Sequence, residues 1–383
     1  MAKNVFKKVA DKVPAGTTCL LVLAVIFGYL GLRMGVANMM NTIMHTAYDL
    51  LINTCFFLMA ICVITGALGK ILAEFGVVSL AEKILRPLMR PLFNLPGTAS
   101  LGAVMTFLSD NPAIITLAHD RKFASYFKKY QLISLTNFGT AFGMGLLVLV
   151  FMAGQGFAGA SLVGLVGACC GCIVSTRLMQ HFILKSYPDY ASQPACELTE
   201  QEKEENNAKQ QLKKEGFMRL LDSILDGGKS GVEIGLSIIP GVLVISTIVM
   251  ILTFGASADG TFTGGAYEGV ELLPWVAEKM GIVFEWLFGF TDTHLIAFPI
   301  TALGAVGAAL GLIPNFVSHG WIDHNTIAVF TAMGMCWSGY LSTHTAMLDS
   351  LGYRELTSRA IAAHTVGGIV AGIVAHWLWV LVA

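Results

Sequence analysis

The stretch TFLSDNPAIIT, residues 106–116, sets an aspartate, an asparagine and a proline in the middle of an otherwise apolar run from Leu101 to Ala118. Such an interruption is either an ordinary soluble loop or a break inside a membrane, and composition decides between them. Of the 383 residues, 55% are hydrophobic and 13% charged, against roughly 25% charged in an average soluble domain. Several apolar runs exceed the ~18–20 residues that cross a bilayer. The chain reads as a polytopic membrane protein with the lipid bilayer as its surroundings, and a nucleic-acid-binding role is excluded.

The first apolar run, residues 17–37, follows Lys3, Lys7, Lys8 and Lys12. It is longer than the ~7–15-residue apolar region of a signal peptide, so it reads as a retained first helix. Further spans are expected at 50–73, 131–153, 160–184, 232–254, 326–347 and 360–382, which with the first makes seven crossings. Residues 97–118 and 290–316 are apolar but do not behave as single crossings.

Loop lysines and arginines favour the cytoplasm. Here they cluster at 3–12, at Lys70, Lys83, Arg86 and Arg90, at Arg121, Lys122, Lys128 and Lys129, between 177 and 229, and at Arg354 and Arg359, with only Arg33 and Lys279 elsewhere. Two of these clusters flank residues 97–118, and a straight crossing would put one of them outside. A hairpin entering and leaving on the cytoplasmic side puts both inside. Its natural tip is Ser109-Asp110-Asn111-Pro112, because proline lacks a backbone donor and opposes helix continuation. Non-helical backbone at membrane depth is tolerated only inside protein or beside a watery cavity. A polar cavity lined by Asp110 and Asn137 is therefore expected.

Many transporters are built from inverted repeats, and the second half of this chain follows the same order. PLFNLPGTAS (91–100) aligns with WLFGFTDTHL (286–295), and LISLTNFGTAFGMGLL (132–147) with TIAVFTAMGMCWSGYL (326–341). With a cytoplasmic N-terminus the halves have opposite topology, and the C-terminus lies outside a cell (inner) membrane. The segment 255–325 then faces outward, where Asp259, Glu268, Glu271, Glu278, Glu285 and Asp323 accompany a single lysine. The expected fold class is an all-α polytopic membrane protein: two inverted-topology repeats, each with a re-entrant helical hairpin, plus an extra N-terminal transmembrane helix. The divisions are 1–48 for the N-terminal segment and first helix, 49–185 for repeat 1, 186–230 for a charged cytoplasmic linker and 231–383 for repeat 2. The linker contains ELTEQEKEENNAKQQLKKEG, 197–216, and reads as a partly helical, solvated connector. Residues 79–92 and 270–288 have helical apolar spacing and are expected to lie along the membrane surface.

The segments LRPLMRPLFNLPGTASLGAVMTFLSDNPAIITLA (85–118) and LISLTNFGTAFGMGLLV (132–148) resemble the nucleoside-recognition or gate domain. That domain is shared by concentrative nucleoside transporters, the membrane part of ferrous-iron transporters and paired spore-maturation membrane proteins. The two-copy arrangement is most similar to a fused spore-maturation A/B-type pair. The resemblance covers most of 50–184 and, more weakly, 232–383. It implies a helical-hairpin transporter with solute held near hairpin tips and unwound helices, and it implies assembly into a homo-oligomer. It does not imply nucleosides as the solute, and the chain has no GTPase P-loop, which excludes a complete iron transporter of that type.

In repeat 1 the candidate substrate- or ion-binding residues are Ser109, Asp110 and Asn111, with Asn137 and Thr140 on a glycine-rich span. An aspartate within a membrane is expensive and usually functional; its alternative role is to cap amides freed at the tip. Asn137 has the alternative of holding two helices together. In repeat 2 the candidates are Asp292, Thr293 and His294 at the start of the broken segment, and Ser338, Thr343 and His344 on the matching span. Alignment puts Gly304-Ala305-Val306-Gly307 where repeat 1 has its polar tip, which favours an asymmetric site with ionisable groups from Asp292, His294 and His344. Either Na+ or H+ is the coupling ion, the proton by way of histidine and either ion by way of Asp110 or Asp292. Asp292, His294 and His344 match no metal-ligand signature, so neither a metal nor another cofactor is expected. His45, His319 and His324 are expected in exposed loops, and His364 and His376 as bonds between helices.

Seven of the eight cysteines lie in apolar spans, where cysteine behaves as a small hydrophobe, and GACCGC (167–172) reads as a helix-packing stripe. With no nucleophile–base pairing and no nucleophile elbow, an enzyme is not expected. Two classes remain. The first is a secondary transporter for a small polar or anionic solute, and the second is a non-transporting structural or signalling component of a larger complex. A polar break at membrane depth favours the first, since a scaffold has no reason to accept its cost.

Overall fold

The computed structural model describes residues 15–197, 216–257 and 259–383, so most of the charged run expected as linker lies outside the described residues. The described residues are helical with no β-strand beyond an isolated bridge between Lys128 and Pro194. Among the described residues, six helices are long and apolar enough to cross a membrane.

Helix α1 (Ala15–Met34) ends at Gly35, whose φ of 80° turns the chain into α2 (Val36–Asp49). A π-helical turn (Leu50–Cys55) then leads into α3 (Phe56–Glu74). The interfacial helix α4 (Val77–Leu88) continues as a second π-helical turn (Met89–Phe93). The hairpin helices are α5 (Ala99–Leu108) and α6 (Pro112–His119), followed by the short α7 (Arg121–Ala124). Helices α8 (Lys129–Thr140) and α9 (Gly145–Gly154) form one interrupted span, and α10 (Ala158–Ser186) closes the repeat.

The second repeat runs through the same order. It begins with α11 (Gly216–Pro240), a π-helical turn (Gly241–Ser246) and α12 (Thr247–Thr253). The interfacial pair α13 (Leu272–Lys279) and α14 (Gly281–Phe288) follows. The broken segment comprises α15 (Ala297–Gly304), α16 (Val306–Leu310) and α17 (Ile313–Ser318), then α18 (His324–Cys336) and α19 (Tyr340–Ser350) form the interrupted span. Helix α20 (Thr357–Val382) ends the chain.

Small residues set the pairing of the repeats. A Cβ on Gly66 would lie 2.5 Å from the Gly227 carbonyl oxygen, one on Gly231 2.3 Å from the Cys62 oxygen, and one on Gly235 2.5 Å from the Met59 side chain. Numbers falling along α3 while they rise along α11 show an antiparallel crossing, and close approach of this kind is how helices associate without a hydrophobic driving force. Helices α10 and α20 cross in the same way, with Gly171 against the Gly367 oxygen at 2.4 Å and Gly167 against the Ala371 oxygen at 2.7 Å. The halves therefore run in opposite directions, as inverted repeats require.

Each repeat turns from its interfacial helix into its hairpin through one left-handed residue, Asn94 (φ 54°) or Gly289 (φ 67°). The first corner is held by Gln180, whose Nε2 donates to the Phe93 oxygen at 2.9 Å, and by Gln131, whose Nε2 donates to the Asn94 oxygen at 2.7 Å. The second is held by Asn325 Nδ2, which donates to the Phe288 oxygen at 2.9 Å, while His376 Nδ1 donates to Asn325 Oδ1 at 2.8 Å. A Cβ at Gly289 would fall 2.5 Å from Asn325 Nδ2, so the left-handed turn and the close approach both require glycine there.

Four expectations are corrected. Residues 36–74 form one helical run of 39 residues; at about 1.5 Å per residue this is about twice a ~30 Å hydrocarbon core. The run from Val36 has no glycine or proline to end it before α3. Its first part docks on the loop 255–271, with Asn38 Nδ2 to the Phe262 oxygen and His45 Nδ1 to the Gly264 oxygen, both 2.7 Å. His45 thus sits on a helix, not in a loop. Secondly, the helix of the span expected at 232–254 begins already at Gly216, because Ser223, Gly227, Gly231 and Gly235 recur every four residues on its buried face. Thirdly, the span expected at 326–347 is two helices separated at Trp337–Gly339. His324, lastly, opens α18 and stacks on Trp379.

The close crossing predicts a sharp contrast within α11. Gly231→Ala should lose about 1–3 kcal/mol, because its Cβ meets a backbone oxygen. Gly228→Ala meets only Val63 Cγ1 at 3.7 Å and should be neutral or gain up to about 1 kcal/mol in helix propensity. Unfolding midpoints in detergent micelles distinguish the two.

In the loop 255–271 the Glu268 carboxylate accepts from the amides of Thr263 and Gly264 and from the Thr263 hydroxyl. Burial pushes this carboxyl up, but those bonds outweigh it and hold it below the ordinary glutamate value. The folded loop therefore binds fewer protons than the unfolded one. Its stabilisation is full above about pH 4.3 and is lost as pH falls through the lowered value. Hydrogen exchange of 255–271 should accelerate on such acidification, and Glu268→Gln should produce that acceleration at neutral pH.

Candidate functional site

The first hairpin closes because Gly102 on α5 admits Ile114 of α6, where a Cβ would stand 2.7 Å from Ile114 Cδ1. Pro112 begins α6, a position where its missing donor costs nothing. Between the helices, Asp110 Oδ1 accepts the Asn111 amide at 2.7 Å and Asn111 Nδ2 at 3.0 Å, and Ser109 Oγ donates to the Met105 oxygen at 2.6 Å. In the second broken segment Ala305 is extended (φ −164°, ψ 128°) between α15 and α16, which pack on each other. This places the tip where sequence alignment put it, at Gly304–Gly307.

Each interrupted span breaks at the matching place. Helix α8 gives way to α9 through residues 141–144, with Met144 left-handed (φ 57°), and α18 to α19 through Trp337–Gly339. Asn111 of the first tip lies between the two breaks. A Cβ on Gly143 would come 2.0 Å from Asn111 Oδ1, and one on Gly339 2.5 Å from Asn111 Nδ2. Ser338 Oγ donates to the Thr140 oxygen at 2.9 Å and reaches Asn111 Oδ1 at 3.4 Å.

A cavity of about 200 Å³ opens where these parts meet. Asp110 and Asn111 line it from the first tip, Ala305 to Gly307 from the second, Met144 and Ser338–Gly339 from the breaks, with Thr343 from α19 and Ser237 from α11. Asp110 is the one ionisable residue in that lining. On the other side of the first tip is a second cavity of about 190 Å³ between α3 and α11, lined by Ser109, Cys62, Thr65 and Lys70. The tip is a partition between the two.

Of the residues expected at the site, Asp110, Asn111, Ser338 and Thr343 come together at the central cavity. Ser109 faces the neighbouring one. Thr140 contributes its carbonyl to Ser338, while its hydroxyl bonds back to the Thr136 oxygen. Asn137 does not line the cavity, which corrects the expectation: it is fully buried and donates to Ser175 Oγ and the Ala360 oxygen, both at 2.9 Å. Asp292, Thr293 and His294 also lie elsewhere. The eight residues of α15 separate them from the tip. Asp292 Oδ1 accepts from His294 N and Nδ1, and His294 stacks on Trp321 at 4.1 Å. His344 is buried against Tyr340 and His364. The joint Asp292–His294–His344 site is thus not formed, and among the described residues no group of three or more His, Cys, Asp and Glu is placed to hold a metal. Sequence reasoning missed Ser237, whose signal was a hydroxyl three residues before Pro240–Gly241 in an apolar span.

An uncharacterized protein of Alkalihalophilus pseudofirmus is 26% identical over 246 residues, which are 61% of this chain and 51% of that protein. The chain spans about half the length of this curated relative. Among solved structures, the concentrative nucleoside transporter CNTnw, as a doubly substituted variant in an outward-facing state, superposes with a TM-score of 0.50 at 13% identity. That match covers 96% of this chain and 88% of the transporter. CNTnw in an inward-facing substrate-bound state gives a TM-score of 0.48 at 14% identity, covering 83% and 74%. At such identities the likeness is one of fold. Residues 55–156, which hold the first hairpin and its interrupted span, match the model of the Gate family, described as nucleoside recognition.

Proposed function

We propose that the protein carries a small polar solute across the membrane by alternating access, coupled to a proton or sodium gradient, with the cavity between the hairpin tips as the binding site. The observation that carries this reading is the meeting of both tips and both helix breaks at one polar cavity. Four interruptions of regular backbone in apolar surroundings are costly, and their convergence has a use in holding a solute. A volume of about 200 Å³ is below the ~300–1,000 Å³ of drug-sized ligand sites, so the solute is small.

Chemistry narrows its class. Asp110 Oδ1 is occupied by Asn111, which leaves Oδ2 and the hydroxyls of Ser237, Ser338 and Thr343 for hydrogen-bond donors on the solute. No lysine, arginine or histidine lines the cavity, so a neutral or cationic polar solute fits better than an anionic one, which would meet a like charge. The description of the gate family makes nucleosides the first solutes to try. Displacement of the first tip would join the central cavity to its neighbour beside Lys70, giving the solute a way out towards that side.

Uptake of radiolabelled nucleosides, amino acids and organic cations into proteoliposomes tests the reading. Asp110→Asn is expected to cut flux at least tenfold while the protein still inserts and elutes as wild type; equal flux would remove Asp110 from the mechanism. Gly339→Val, whose Cβ would meet Thr343 Oγ1 at 2.3 Å and Asn111, should likewise abolish solute-induced thermal stabilisation without preventing membrane insertion.

A further inference from the structure

We propose that Nε2 of His344 is a reversible proton-binding site beside the central cavity, serving as the coupling-proton acceptor in the transport reading above, on which this rests. His344 is fully buried on α19, and its neighbour Thr343 lines the cavity. Its Nδ1 faces the Tyr340 carbonyl. A carbonyl oxygen only accepts, so Nδ1 carries the ring proton and Nε2 is a bare lone pair. That atom is buried with no hydrogen-bond partner among the described protein groups. A buried acceptor without a partner costs about 1–3 kcal/mol, and the site that keeps one calls for a reason.

The adjacent histidine shows the contrast. The His364 ring lies 4.6 Å from that of His344. Its Nε2 donates to the Cys336 carbonyl, so its Nδ1 accepts from Ser175 Oγ at 2.7 Å, and Ser175 in turn accepts from Asn137 Nδ2 at 2.9 Å. This chain holds His364 neutral with both nitrogens in use. Of two touching imidazoles, one is fixed and the other keeps a vacant acceptor. Two positive charges at this spacing oppose each other, so the pair takes one proton.

The groups around the pair leave the role to His344. Helix α19 packs on α8, α15, α20 and the turn Arg354–Leu356. Tyr340 and His364 are the titratable residues that face the His344 ring, and α15 has none. The others on these elements are engaged elsewhere: Arg354 with Asp349, Glu355 with Tyr187, Lys129 over Tyr190, Tyr130 with Asn94, Arg359 with Ser186 and His376 with Asn325. The first repeat also builds the same junction without imidazoles. Pairing Gly145 with Gly339, as the sequence alignment does, and Gly171 with Gly367, which meet at the crossing, puts Val150 and Ala168 at the positions of His344 and His364. Packing alone does not need histidines here. A proton arrives from water on one side when the start of α19 is wetted, joins the Nε2 lone pair, and returns to water on the other.

NMR of 15N-histidine-labelled protein in lipid nanodiscs, followed from pH 8 to pH 4, tests this with no solute present. Carbonyl-13C tyrosine assigns His344 in the wild type through its Nδ1–H contact with Tyr340, and H344Q confirms the assignment by subtraction, so the result does not depend on a variant's folding. The expected outcome is a His344 ring protonated on Nδ1 at pH 8 that gains a second proton on Nε2 as pH falls, with His364 staying neutral and Nε2-protonated. A His344 ring that keeps one proton over the whole range, with the shift of a water-bonded acceptor, overturns the proposal. Titration of His364 in its place does the same. Either failure leaves sodium-coupled transport standing, whereas equal flux in Asp110→Asn removes the site reading and leaves this measurement untouched.

Discussion

A backbone that stops being helical in apolar surroundings frees amides and carbonyls that have no water to turn to. This chain does so at four places, where mostly local bonds, and one between the repeats, take up the freed groups. At the first tip the Asp110 carboxylate takes the Asn111 amide. At the breaks, short-range turns carry the chain, with the Phe142 amide to the Gly139 oxygen at 3.0 Å and the Ser338 amide to the Met335 oxygen at 3.2 Å. The remaining Thr140 carbonyl is taken by the Ser338 hydroxyl from the opposite repeat. Gathering the interruptions lets the second break supply a hydroxyl to the first break and to the first tip, and the space left among them is polar. The cavity is thus a consequence of the same requirement that holds the centre together.

That gathering depends on how closely the repeats approach. Glycines at the two antiparallel crossings bring backbones together where any Cβ would strike a carbonyl oxygen. The corners before the hairpins show that geometry, and not residue type, is what the repeat reproduces. Asn94 with Gln180 and Gly289 with Asn325 and His376 use different chemistry to fix the same left-handed turn. The two π-helical turns at Leu50–Cys55 and Gly241–Ser246 also touch each other, at matching positions in the two halves.

Much of this plan was legible in the sequence because it rests on features with a short reach. The lysines flanking 97–118 and the proline at 112 disclosed the first hairpin, and alignment located the second tip at Gly304–Gly307 although no polar residue marks it. What stayed hidden depends on contacts between distant segments. Asn137 and Asp110 both read as polar groups at membrane depth, but one faces Ser175 and the other the cavity, and only the rotation of α8 decides that. Asp292 and His294 looked like the second half of the site because they begin its broken segment. They are its far end, and their carboxylate and ring pair with each other. Ser237 was invisible because a single hydroxyl in an apolar helix has many uses.

The fold has near two-fold symmetry, while its chemistry does not. Asp110 and Asn111 face Ala305 and Val306 across the cavity, and the imidazoles of His344 and His364 stand where the first repeat has Val150 and Ala168. In the transport cycle proposed above, the difference would have an energetic meaning, as follows from what each tip must desolvate. The second tip closes over a solute with no polar side chain of its own to strip of water. The first must give up hydration at Asp110, a cost that is offset only by hydrogen bonds from the solute. In the proposed cycle, closure of the first tip would thereby be tied to occupancy, while that of the second would be governed by apolar contact. This asymmetry would supply one selective gate and one permissive gate from inverted repeats whose hairpin tips have diverged.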